Sequence, residues 1–219
     1  MTPSLPEKVL AWYEDKELVR ALAQLIPYGG GVDAFLTGKL EDIRRERIAA
    51  FFEALAANRI ELSEEVIGSE EFLHKYFITA KAAINTRRRE KIALFGNLLA
   101  NGALPSACDA DEYEDILRIL DELSFRELRA LSILDSFSKR SRDRKQNDLQ
   151  WTETFWAQFE RMVGSELALA KNQVRDFMNR IARTGCYEMF TGGFMDYTGG
   201  KGKLTPTYHN LKKFVSAPK

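Results

Sequence analysis

AKNQVRDFMNRIARTG, residues 170–185, is the stretch on which the fold turns. Val174, Phe177, Met178 and Ile181 recur at i, i+3, i+4 and i+7, which predicts a helix from Ala170 to Arg183 with one apolar stripe turned inward. Asn172, Arg175, Asp176, Asn179 and Arg183 then fall on the opposite, water-facing side. Gly185, free to take positive φ, is the expected stop. A strand-like run follows from Cys186 to Phe190, then Gly192 and Gly193, a further extended run from Phe194 to Tyr197, and the glycine-rich tip Thr198 to Gly202. Lys203-Leu204-Thr205 reads as a returning strand, and Pro206 opens a short final helix.

Upstream, Thr152 to Val163 is a predicted helix that offers Phe155, Trp156, Phe159 and Met162 to a core and stops at Gly164. Ser124 followed by Glu127 is a capping-box pattern for a helix reaching about Phe137, with Leu128, Leu131, Leu134 and Phe137 as its buried side. Glu112 to Leu120 is also helical. Between these helices lies a basic loop with Lys139, Arg140, Arg142, Arg144 and Lys145, suited to phosphate contact or simply to solvent.

Helices followed by a glycine-tipped ribbon and a closing helix resemble the winged-helix family. Val174, Phe177, Ile181, Gly185, Tyr187 and the Leu204-Thr205-Pro206 step fall where that family has its third helix and wing. The resemblance covers roughly Glu112 to Val215 and implies one of two uses, because winged helices bind DNA or dock proteins. In the first, the 170–183 helix enters a major groove. Asn172, Gln173, Asn179 and Arg183 would then meet base edges, and Lys171, Arg175 and Arg180 would hold phosphates. Lys201 and Lys203 of the wing would touch the neighbouring backbone, and the 139–145 loop would add nonspecific attraction. Asp176 opposes this role, and Glu188 and Asp196 dilute the charge of the wing.

The N-terminal half reads as helical throughout. Leu5 to Ile26 is one predicted helix, with Trp12 among its apolar residues, and Pro27 to Gly31 breaks it. The three glycines serve either as a helix corner or as an approach for an anion. Lys39 to Arg59 is a second helix, with Leu40, Ile43, Ile48, Phe51, Phe52 and Leu55 inward and Asp42, Arg45 and Glu46 outward. A third region, Ser69 to Ala100, carries Phe72, Tyr76, Phe77, Ala80, Ile84, Ile92, Phe95 and Leu99, with a candidate break at Asn85-Thr86. A helix starting there would hold Arg87, Arg88 and Arg89 in its first turn, where the macrodipole disfavours cations unless an anion or acidic partner docks. An unbroken helix would instead pair those arginines with acids such as Glu53 or Glu90. The Pro-Tyr-Gly-Gly-Gly corner and the Thr-Arg-Arg-Arg-Glu-Lys stretch are loosely similar to uncharacterised bacterial helical proteins, some tied to phage defence.

The 219 residues carry equal numbers of basic and acidic side chains, so attraction to nucleic acid must come from uneven placement. That unevenness exists: Arg161 to Lys219 is basic, whereas Asp109 to Glu122 is strongly acidic. Cys108 and Cys186 suggest reduced thiols in a cytosolic protein, with a single disulfide as the alternative. Nothing at the N-terminus has the pattern of a signal peptide, and Leu18 to Leu36 falls short of a membrane span. No metal-ligand spacing surrounds His74 or His209, no nucleophile and base are paired, and no phosphate loop is present, so neither cofactor nor metal nor enzymatic activity is expected.

These readings combine into a mainly α protein. A helical domain, residues 1–104, is expected to associate with itself or with another protein. A winged-helix domain with a small β-ribbon, residues 112–219, is expected to bind duplex DNA as a transcriptional regulator or a prophage- or defence-associated factor. The competing expectation is a winged helix that docks protein, in a phage-defence or related system, without touching DNA.

Overall fold

The computed structural model describes residues 34–58, 66, 68–103, 106–191 and 200–217. The expected Leu5–Ile26 helix with Trp12, the Pro27–Gly31 corner, the Phe194–Tyr197 strand and the wing tip through Gly199 lie outside those residues. The described chain is mainly helical, with one small two-stranded antiparallel sheet near the C-terminus. It divides into two compact units, one running to Arg118 and including Phe214–Lys219, the other Ile119–Lys213.

The first unit is built on α1 (Ala34–Ala57), α2 (Glu70–Asn85) and α3 (Arg89–Gly102). Ser69 caps α2 by accepting the Phe72 amide at 3.2 Å, and Glu70 and Glu71 sit at its positive end. The chain does break after Asn85: residues 86–88 leave the helix and α3 begins at Arg89. Phe51, Phe52, Phe72, Tyr76, Ile92, Phe95 and Leu99 form the core. Helices α1 and α3 approach closely because Gly96 has no side chain. A Cβ there would lie 2.7 Å from the Ala54 Cβ and 2.8 Å from the Phe51 carbonyl oxygen. Leu40, read as inward, is instead 41% exposed, and the apolar Phe77 is 42% exposed. Both satisfy the helical spacing, but the apolar arc they extend is wider than the surface the neighbouring helices cover.

Lys75 is fully buried in this unit. Its Nζ pairs with Glu71 at 2.7 Å and donates to the carbonyls of Gly102 and Cys108 at 3.2 and 3.1 Å. Those bonds fasten the segment after α3 to α2. Beside it, Thr79 and Tyr113 share a 2.6 Å hydrogen bond, and burial pushes the Tyr113 phenol well above its ordinary range. Tyr113 belongs to α4 (Ala110–Glu122), whose Ile119–Glu122 end falls in the second unit.

The second unit contains α5 (Phe125–Ser138), α6 (Asp148–Leu167), α7 (Lys171–Ile181), β1 (Tyr187–Met189), β2 (Gly202–Leu204) and most of α8 (Pro206–Val215). The capping box at Ser124 is present as expected, with Glu127 returning to the Ser124 amide at 2.8 Å. A second box, Asn147 with Gln150, starts α6 four residues before the Thr152 onset read from its aromatics. Gly164 does not end α6, a correction to the expected stop. The helix continues to Leu167 and ends where Ala168 turns left-handed at φ 50°. Interior glycine costs only about 1 kcal/mol relative to alanine, and the Gly164 carbonyl accepts the Leu169 amide at 3.0 Å.

Phe137 stacks on Phe155 at 5.5 Å and meets Phe159 edge-on at 6.2 Å, which fixes α5 against α6. Met162, expected in that core, is 42% exposed. The α7 stripe of Val174, Phe177, Met178 and Ile181 is buried throughout. After one turn of 3-10 helix at Ala182–Thr184, Gly185 closes the element at φ 73°. Strands β1 and β2 pair antiparallel in the register Tyr187↔Leu204, Glu188↔Lys203 and Met189↔Gly202. Gly202 is required there, since an added Cβ would stand 2.3 Å from the Glu188 carbonyl oxygen.

Candidate nucleic-acid interface

Burial of its apolar stripe turns the other side of α7 to solvent, and Lys171, Asn172, Arg175 and Asp176 are exposed. Lys171 and Arg175 make no ion pair among the described residues. The aliphatic part of Arg175 runs beside Gly200, whose φ of 95° only glycine takes easily. Gln173, Asn179, Arg180 and Arg183, also read as contacts, are less open to a groove. The Gln173 side chain turns back to accept the Ala170 amide at 3.0 Å. Asn179 is half-buried, with its Oδ1 shielded from solvent. Of the three amide side chains read as base contacts, Asn172 and Gln173 are exposed and Asn179 is half-buried.

Arg180 and Arg183 turn back against their own unit. Arg180 Nε meets Glu127 Oε1 at 3.1 Å while its guanidinium lies 5.0 Å from the centre of the Phe177 ring. Arg183 donates to Glu127 at 2.8 Å and to Glu122 at 2.8 Å. Glu127 is almost wholly buried. Burial alone would push its carboxyl upward. Hydrogen bonds from Arg183, the Ser124 amide and hydroxyl, and Arg180 outweigh that and hold it down at about 2. The i, i+3 spacing of Arg180 and Arg183 places both on one side of the chain. Their partner is more than fifty residues away in sequence, and Glu127 was legible only as a cap.

The basic loop behaves in two ways. Arg144 and Lys145 are exposed and carry no ion pair among the described residues. Lys139 pairs with Asp135 at 2.8 Å, and Arg142 with Asp148 at 2.8 Å. Arg140 donates to Gln158 at 2.9 Å and lies 4.1 Å over the Phe137 ring. From the ribbon, Lys201 reaches Glu153 at 2.8 Å, and Lys203 reaches Asp148 at 2.9 Å with Glu188 at 3.8 Å. Lys203 and Arg142 hold the Asp148 carboxyl below its usual range, and Asp148 in turn raises Lys203.

Lys139, Arg140, Arg142 and Lys203, scattered over 65 positions of sequence, line one cavity of about 480 Å³. Lys212 and His209 of α8 join them there, although sequence reading assigned neither a role. In the first unit, Arg87 and Arg88 precede α3, exposed and without an ion pair among the described residues, whereas Arg89 pairs with Glu53 at 2.6 Å. Among the described residues no group of acidic, histidine and cysteine side chains is arranged to hold a metal, and no helix is long and apolar enough to cross a membrane. Cys108 and Cys186 are both buried thiols.

The chain matches no protein-family profile, no curated protein and no solved structure.

Proposed function

We propose that the second unit is a winged-helix module that binds duplex DNA through α7, and that the protein acts as a DNA-binding regulator. The observation that carries this reading is the outward face of α7, where Lys171, Asn172 and Arg175 stand together, exposed and without an ion pair among the described residues, above a stripe that is fully buried. Lys171 and Arg175 neutralise phosphates, Asn172 reaches a base edge, and Arg144 and Lys145 supply attraction from the loop. Arg180 and Arg183 drop out of the contact set, because breaking their bonds to Glu127 would leave a buried carboxylate without its partners. Fluorescence anisotropy with a labelled duplex over a salt series tests the reading. Four phosphate contacts predict that log affinity falls with log salt at a slope of roughly −3 to −4, shallower by about 2 in Lys171→Ala/Arg175→Ala. A wild-type protein with no affinity at low salt excludes it.

One observation favours the protein-docking alternative. Arg180, Arg183 and Lys201 are each paired with a carboxylate of this chain, so the set of cations read as DNA contacts loses part of its charge. Under this reading the module serves assembly, in a setting such as the defence systems suggested by the N-terminal resemblance. Sedimentation velocity over a concentration series would then report self-association while the duplex titration stays flat.

A further inference from the structure

The cavity between the end of α5, the start of α6, β2 and α8 gathers a concentration of charged side chains. Lys139, Arg140, Arg142, Lys203 and Lys212 line it, against only two carboxylates, Asp135 and Asp148. Each carboxylate is shared by two cations. Asp135, 9% exposed, takes Lys139 at 2.8 Å and Lys212 at 2.6 Å. Asp148 takes Arg142 at 2.8 Å and Lys203 at 2.9 Å. Glu188, outside the lining, also reaches Lys203 at 3.8 Å, yet among the lining residues five cations face two carboxylates. Four long side chains converge on a common space, where each carboxylate competes with an incoming anion. The N-terminus of the twenty-residue α6 opens onto the same space, since Asp148, Trp151 and Thr152 of its first turns are in the lining.

We propose that this cavity is a binding site for a phosphoryl-bearing anion, with Arg142, Lys203, Lys139 and Lys212 as its ligands and Trp151 as a flat wall. Its volume of about 480 Å³ exceeds the needs of a single phosphate and lies within the ~300–1,000 Å³ typical of small-ligand sites. Room therefore remains for a diphosphate or a nucleotide-sized group. Trp151 is half-buried and already flanked by the Arg142 guanidinium at 5.6 Å from a ring centre, an arrangement that receives a planar group beside a phosphate. The site does not rest on the DNA reading. A free phosphorylated small molecule and the backbone of a nucleic acid present the same chemistry.

Isothermal titration of the full chain with inorganic pyrophosphate at low salt tests this. The expected result is saturable binding at one site, weakened roughly tenfold or more in Arg142→Gln/Lys203→Gln, since two of the converging charges are lost. Asp148→Asn removes a competing negative charge and is expected to tighten binding several-fold, a gain that a damaged fold would not produce. Arg161→Gln, exposed on α6 and outside the cavity, is expected to leave binding unchanged. Absence of saturable binding, an unchanged constant in the double variant, weaker binding in Asp148→Asn, or an equal loss in Arg161→Gln would each overturn the proposal. Addition of a short duplex separates the sources: competition identifies the phosphate as nucleic-acid backbone, and its absence identifies a free ligand. Pyrophosphate binding in a protein without duplex affinity would leave this site standing while the DNA reading fails.

Discussion

Arg183 grips Glu127 with both terminal guanidinium nitrogens, Nη1 to Oε1 at 2.8 Å and Nη2 to Oε2 at 3.3 Å. Side by side, such bonds fix orientation as well as charge. Their effect is to join α5 to the turn after α7. An arginine that the sequence assigns to DNA therefore serves to hold the module together. Arg183→Ala is expected to cost about 1–3 kcal/mol of stability, because a buried carboxylate loses its strongest partner while Arg180 and Ser124 remain. Arg175→Ala, on the exposed face, is expected to stay within about 0.5 kcal/mol of wild type. Urea denaturation of the two variants separates the roles, and equal losses would contradict the assignment.

The same carboxylate sets a pH dependence. Its folded-state value of about 2 lies below its ordinary value of 4.5, so the native state holds it more strongly as the anion. A depressed carboxylate contributes stability that is complete above the unfolded value and is lost as pH falls through the folded one. The contribution is about 3 kcal/mol above pH 5 and fades between roughly pH 4.5 and 2. Melting curves of wild type and Glu127→Gln across that window are expected to converge as acid is added. A gap that persists undiminished at pH 2 would show that Glu127 acts by packing alone.

In the first unit the sharpest steric test is Gly96. Its missing Cβ would meet the Ala54 Cβ at 2.7 Å and the Phe51 carbonyl oxygen at 2.8 Å, and a backbone atom cannot swing aside as a side-chain end can. Gly96→Ala is expected to destabilise by about 1–3 kcal/mol in spite of the better helix propensity of alanine. Ala54→Gly in the same chain is expected to restore only part, since it relieves one of the two clashes. Stabilisation by Gly96→Ala, read from the urea midpoint, would mean that the two helices do not cross there.

Gly202 makes the corresponding demand in the ribbon, where a Cβ would strike the Glu188 carbonyl oxygen at 2.3 Å and the Tyr187 ring at 2.5 Å. Gly202→Ala is expected to part β1 from β2. The Phe190 amide, bonded to the Lys201 carbonyl at 2.9 Å, would lose its hydrogen-exchange protection. Amides within α5 and α6 are expected to stay protected. Unchanged exchange at Phe190 would contradict the register.

What the sequence made legible is what short range decides. The capping box at Ser124 spans four residues, the α7 stripe obeys one helical period, and Gly185 stands where the chain needs positive φ. All three are present. The errors come from long range. Met162 has the same spacing as Phe155 and Phe159, yet nothing in periodicity tells which edge of an apolar arc the neighbouring helix leaves uncovered. Gly164 looked like a stop because its neighbours were read without the Ala168 turn that ends the helix. The candidate contacts fared worst. Arg180 and Arg183 look alike to Lys171 and Arg175 in sequence, and only the fold brings Glu127 within reach of two of the four. The same holds for the cavity, whose lining joins a loop, a strand and the last helix, so that Lys212 and His209 gave no local signal at all.

Each unit contains one thiol out of reach of water, Cys108 in the first and Cys186 in the second. The protein thus carries two internal clocks. Burial raises the Cys186 thiol above its usual value and slows its reaction further while the chain stays closed. A thiol-reactive label, followed by mass spectrometry at each position, would time the opening of the two halves independently. It would do so in a single sample of unaltered protein, without a tag or a substitution.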